Sequence, residues 1–78
     1  WEEAIKIEEY VVKQSPYYPQ ANYYLGLAYG KSPKYKIKAH AQLNLALQYT
    51  FTALASAGPL QQKKLTELSE EISRSMKH

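Results

Sequence analysis

Two histidines, seven glutamates and not one aspartate or cysteine are the side chains from which this chain could build a reaction centre. Nucleophilic catalysis needs a hydroxyl or thiol activated by a base that a third group orients. His40 falls within a helical pattern and His78 is the last residue of the sequence, and neither has a partner acid at a matching spacing. No pair of His or Glu stands at the interval a metal site requires, so no metal and no cofactor are expected. Glu2, Glu3, Glu8 and Glu9 form a carboxylate cluster, but it shares its helix with lysines and lacks a companion group. Gly26, Gly30 and Gly58 are too far apart to form a phosphate-cradling loop. Flanked by Ala39 and Ala41, His40 reads as a partly buried helix residue near a loop. These residues do not predict an enzyme.

Binding chemistry is better supplied. Tyr17, Tyr18, Tyr23, Tyr24 and Tyr29 crowd one segment of a chain with eight tyrosines. Tyrosine offers a large contact area at little entropic cost, so such a cluster fits either helix packing or a partner-binding surface. Lys31, Lys34, Lys36 and Lys38 bracket Tyr35. Lysines that meet phosphates beside a ring that stacks on a base would make a nucleic-acid or acidic-surface contact. A solvated basic turn is the simpler reading. The net charge of +3 and a single arginine, Arg74, favour an acidic partner only mildly.

The elements that must position these groups are helical. Seventy-eight residues make one small domain with a thin margin for a core, and 45% hydrophobic residues argue against disorder. The first helix runs to about Gln14, with Trp1, Ala4, Ile5, Ile7, Val11 and Val12 on one broad arc and Glu8 at its edge. Pro16 ends it. A second helix spans Pro19 to about Gly30, with Ala21, Leu25 and Ala28 on its inner face. Gly26 costs that helix roughly 1 kcal/mol, which is tolerable where another helix must approach closely, and the helix just upstream is the expected neighbour. Residues 30–36 read as an enlarged loop. The third helix, about 36–57, carries a stripe of Ala39, Leu43, Ala46, Leu47, Thr50, Ala53, Leu54 and Ala57, with Phe51 at its margin. No charged residue occurs between Ala39 and Gln62, yet His40, Gln42, Asn44 and Gln48 break the run, so no membrane span is expected. Leu45 and Tyr49 mark a second apolar strip, a possible interface with another protomer or partner. Gly58-Pro59 opens a fourth helix, about 59–76, with a narrow stripe of Leu65, Leu68, Ile72 and Met76.

Leu25-Gly26 followed by Tyr29, and Ala4-Ile5 followed by Pro16 twelve residues after the alanine, stand at the intervals of a known helical module. Over residues 1–29 the chain resembles the tetratricopeptide repeat family. The resemblance implies an all-α, antiparallel helix-pair array of four helices: a half-repeat (1–16), an imperfect repeat (17–57) with its loop enlarged at 30–36, and a capping helix (58–78). The missing initiator Met and the opening half-repeat suggest a fragment of a longer repeat protein. By the same resemblance the function is protein–protein interaction, as a peptide groove or an assembly scaffold, with Gln20, Tyr23, Tyr24, Leu27 and Lys31 facing the partner. Leu27 stands where the family's carboxylate-gripping asparagine would be, so no carboxylate clamp is expected. Homo-oligomerisation is a further possibility, and the compartment is undecided, with the cytoplasm as default.

Overall fold

In the computed structural model, which describes residues 2–77, the chain is all-helical. The order is α1 (Glu2–Gln14), α2 (Pro19–Gly30), a 3-10 turn (Pro33–Tyr35), α3 (Lys36–Leu54) and α4 (Pro59–Met76). Trp1 and His78, which the sequence reading used, lie outside the described residues.

Proline and backbone geometry set the boundaries. Ser15 N–H closes the last helical bond of α1 on the Val11 carbonyl at 3.0 Å, and Pro16 cannot donate the next one. Tyr18 is extended (φ −80°, ψ 114°) so that Pro19 can occupy the first turn of α2. The connection expected over 30–36 is tighter than the sequence suggests. Gly30 completes α2, Lys36 begins α3, and the Pro33–Tyr35 turn fills most of the gap. The third helix also stops at Leu54, three residues short of the expected 57. Ser56 and Ala57 donate to Ala53 and Leu54, three residues back, so the end tightens out of α geometry. Gly58 must then be extended (φ −73°, ψ 172°) ahead of Pro59.

Among the described residues α2 is the hub that touches every other element. Its buried residues, among them Ala21, Asn22, Tyr23, Leu25, Gly26 and Tyr29, occupy most of its circumference. Two apolar clusters result. One joins Ile5 of α1, Leu25 and Tyr29 of α2 and Ala39 of α3, with α2 in the middle, and in the other Tyr23, Leu43 and Ala46 meet Leu68 and Ile72 of α4. The α4 stripe packs as its spacing requires, with Ile72 fully buried and Leu65 and Met76 half-buried at its ends. Burial of a side chain such as Ile72 contributes about 1.5–3 kcal/mol.

Two expectations need correction. The helix that approaches Gly26 is α3, not α1. A Cβ built on Gly26 would stand 2.7 Å from Leu43 Cδ2 and 3.2 Å from the Leu43 backbone nitrogen. The broad arc of α1 also divides. Ile5 is buried, whereas Ile7 is 60% exposed and Val11 37% exposed, because among the described residues α1 packs against α2 alone. One helix can cover only one strip of another.

A polar staple holds the hub in place. Asn22, 1% exposed, donates through Nδ2 to the carbonyls of Pro16 (3.0 Å) and Tyr18 (2.9 Å), and its Oδ1 accepts from Gln42 Nε2 at 2.5 Å. The α1–α2 turn, α2 and α3 are thus joined by one side chain.

Candidate binding site

The face assigned to a partner by sequence, Gln20 to Lys31 along α2, is crossed by α4. Tyr23 at its middle is 9% exposed, lies among Leu43, Leu68 and Ile72, and its hydroxyl approaches the Ser75 hydroxyl at 3.4 Å. The groove assignment fails for Tyr23. The reason is physical: the apolar stripe of α4 has to be buried, and Tyr23, Leu43 and Ala46 are the surface it finds. Tyr24 remains half-exposed, with its ring 5.8 Å from that of Tyr23. The ends of the face stay open on either side of α4. At one end Gln20 borders a groove with Tyr18, Pro19, Gln61, Lys64 and Leu65, and the Tyr18 hydroxyl donates to Gln20. At the other end Leu27 and Lys31 border a cleft of about 330 Å³.

Three helices build that cleft. From α2 come Gly26, Leu27 and Gly30, with Lys31 just beyond. Four residues on one face of α3, Lys36, Ala39, His40 and Leu43, form the opposite wall. Ser75 and Met76 of α4 close it. The floor is apolar, because Gly26 and Gly30 carry no side chains and Ala39 is small. Near the Gly30 position a Cβ would meet only Ala39 Cβ, at 3.8 Å, so the space above the helix is open there. Lys31, Lys36 and His40 supply the charged or chargeable groups, and among the described residues no carboxylate lines the cleft. Leu27 and Lys31, set on the partner face by sequence, border this opening, and so does His40, which is exposed rather than partly buried. Sequence reasoning assigned Lys36 to a different patch.

The other candidates are engaged within the chain. Tyr35 is half-buried, its ring 5.5 Å from that of Tyr29, with the Lys34 and Lys38 ammonium groups 5.5 and 5.4 Å from its centroid. Those neighbours occupy the aromatic surface that base stacking would need. Tyr49 is half-buried with Tyr17 set edge-on against it at 5.4 Å, while Leu45 is 38% exposed. The α1 carboxylate with a defined partner is Glu9, not Glu8. Glu9 accepts a 2.6 Å hydrogen bond from the Tyr29 hydroxyl. Burial, that bond and the Glu9 charge push Tyr29 up to about 12. Among the described residues no three His, Asp or Glu side chains converge as metal ligands, and no helix is long and apolar enough to cross a membrane.

No known family model, curated protein or solved structure matches the chain. What the cleft can hold therefore follows from its own lining. That lining is an apolar trough with a basic margin on α2 and α3 and the Ser75 hydroxyl on the α4 side.

Proposed function

We propose that this chain is a non-catalytic protein–protein interaction module, a tetratricopeptide-like helical array that holds a segment of another polypeptide. The cleft between α2, α3 and the last turn of α4 carries this reading: three helices frame an apolar trough that their packing leaves unfilled. The tetratricopeptide-like part of the reading rests on the sequence resemblance over residues 1–29, and within it Leu27 and Lys31, which border the cleft, are the proposed partner-facing residues. Gln20 and Tyr24 lie outside this cleft, and Tyr23 belongs to the core.

Panning a random peptide display library on the immobilised chain tests the reading. Gly30→Leu places a side chain over the trough, where the Gly30 position meets no contact closer than 3.8 Å. Peptides enriched on the parent chain should lose binding to Gly30→Leu while its helical circular dichroism is kept. Enriched peptides that bind both chains equally would remove the cleft from the proposal, and an empty selection would remove the module reading itself.

A further inference from the structure

We infer that the cleft takes one apolar side chain carried on an acidic segment of its partner, a leucine- or phenylalanine-sized anchor flanked by carboxylates. This rests on the interaction-module reading and specifies its ligand. Two independent features of the lining point to it.

The first is shape and surface. A volume of about 330 Å³ is at the small end of ligand sites, enough for an anchoring side chain and the backbone that carries it. Leu27, Leu43 and Met76 offer aliphatic surface, and Gly30 lets that anchor approach the α2 backbone. Interfaces gain most of their energy from a few such fully desolvated anchors.

The second is charge. Among the described residues, the titratable groups on the lining are all basic: Lys31 at the end of α2, and Lys36 and His40 one turn apart on α3. The first turn of α3 contains Lys36 and Lys38, has no acidic residue and has no side-chain cap. The positive end of the helix dipole therefore adds to the lysines rather than being offset. A lysine-bearing segment would meet like charge from both α2 and α3, whereas carboxylates flanking the anchor would meet complementary potential. Among the described residues no carboxylate lines the trough to repel an acidic ligand.

The test uses three synthetic peptides and the isotope-labelled chain, followed by amide chemical shifts. One peptide has a central leucine flanked by glutamates, one has the same leucine flanked by lysines, and one has glutamates around a central glycine. The acidic leucine peptide should saturate and shift the amides of Gly30, Lys36, Ala39 and Leu43. Its affinity should exceed that of either control by about tenfold or more, the scale of one lost anchor or a reversed charge environment. Lys36→Glu with His40→Glu, both on exposed positions, should weaken the acidic peptide at least tenfold and strengthen the lysine peptide. Gly30→Leu should abolish binding of all three at this site. Equal binding of the acidic and lysine peptides, both blocked by Gly30→Leu, would overturn the acidic assignment and leave the module reading standing. Shifts elsewhere, or none with any peptide, would overturn both. A glycine-centred peptide that binds as well as the leucine one would show a charge patch without an anchor site, which also refutes the inference.

Discussion

Gly26 and Gly30, one helical turn apart in α2, should respond to alanine with opposite signs. A Cβ at Gly26 would lie 2.7 and 2.8 Å from Leu43 Cδ2 and Cγ. Comfortable carbon–carbon separations are about 3.5–4.0 Å, so α2 and α3 must part by nearly 1 Å or Leu43 must leave its place. Leu43 is 6% exposed and packed in the core, and its backbone nitrogen stands only 3.2 Å from the new Cβ. Overpacking of this kind costs about 1–3 kcal/mol, and the better helix propensity of alanine returns roughly 1 kcal/mol of it. The expected net loss is up to about 2 kcal/mol. At Gly30 the same Cβ makes an ordinary 3.8 Å contact with Ala39, so the propensity gain of about 0.5–1 kcal/mol should survive. Urea unfolding followed by circular dichroism measures both. With a slope near 1 kcal/mol per molar for a chain this small, the two midpoints should lie about 2 M apart on either side of the parent. Leu43→Ala should also cut the Gly26→Ala penalty by about 1 kcal/mol in a double-mutant cycle. A Gly26→Ala midpoint at or above the parent value would refute the tight α2–α3 approach. Equal losses at both glycines would refute the open trough above Gly30.

Asn22→Ala removes three hydrogen bonds and leaves the Pro16 carbonyl and the Gln42 amide without their partner. The expected cost is about 2–3 kcal/mol, a fall in Tm of about 10 °C or more; a fall of less than about 4 °C in a thermal melt would contradict the staple. The neutral hydroxyl of Tyr29 is favoured in the fold, where it titrates near 12 against an ordinary 10.0. Because the folded value is the raised one, this contribution is present in full below pH 10 and is lost as pH climbs from 10 through about 12. Tyr29→Phe should lose about 0.5–1.5 kcal/mol at neutral pH, show a shallower decline of stability over that alkaline range, and lack the tyrosinate absorbance step near pH 12. An unchanged absorbance titration would show that the step belongs to another tyrosine.

The helical class and most helix boundaries were legible because prolines mark them. Pro16, Pro19 and Pro59 act through sterics within one or two residues, which a linear reading captures. The end of α3 was not, because Ala55, Ser56 and Ala57 are compatible with helix and only the backbone demand of Gly58-Pro59 shortens it. Gly26 correctly signalled a close approach, but a glycine does not say from which direction the neighbour comes. The fate of Tyr23 shows the same gap. Its apolar strip and the thin stripe of α4 were each visible, yet nothing local says that the two cover one another. Asn22 went unremarked among its tyrosine neighbours, since its value depends on carbonyls at Pro16 and Tyr18 that the fold turns toward it. His40 and Lys36 became site residues only when four positions of α3 were set opposite two glycines.

The single interface of α1 separates it from the rest of the molecule in time as well as space. Its anchorage consists of Ile5 and Val12 against α2 and the Glu9–Tyr29 bond, whereas α2, α3 and α4 share a core that excludes it. Opening α1 exposes Ile5, Leu25 and Tyr29 but leaves Leu43, Ala46, Leu68 and Ile72 closed. Amide protons of α1 can therefore exchange through a sub-global event cheaper than complete unfolding, while those of α2 and α3 wait for the whole structure to come apart. The molecule is in this sense a three-helix foldon with a fourth helix on a latch.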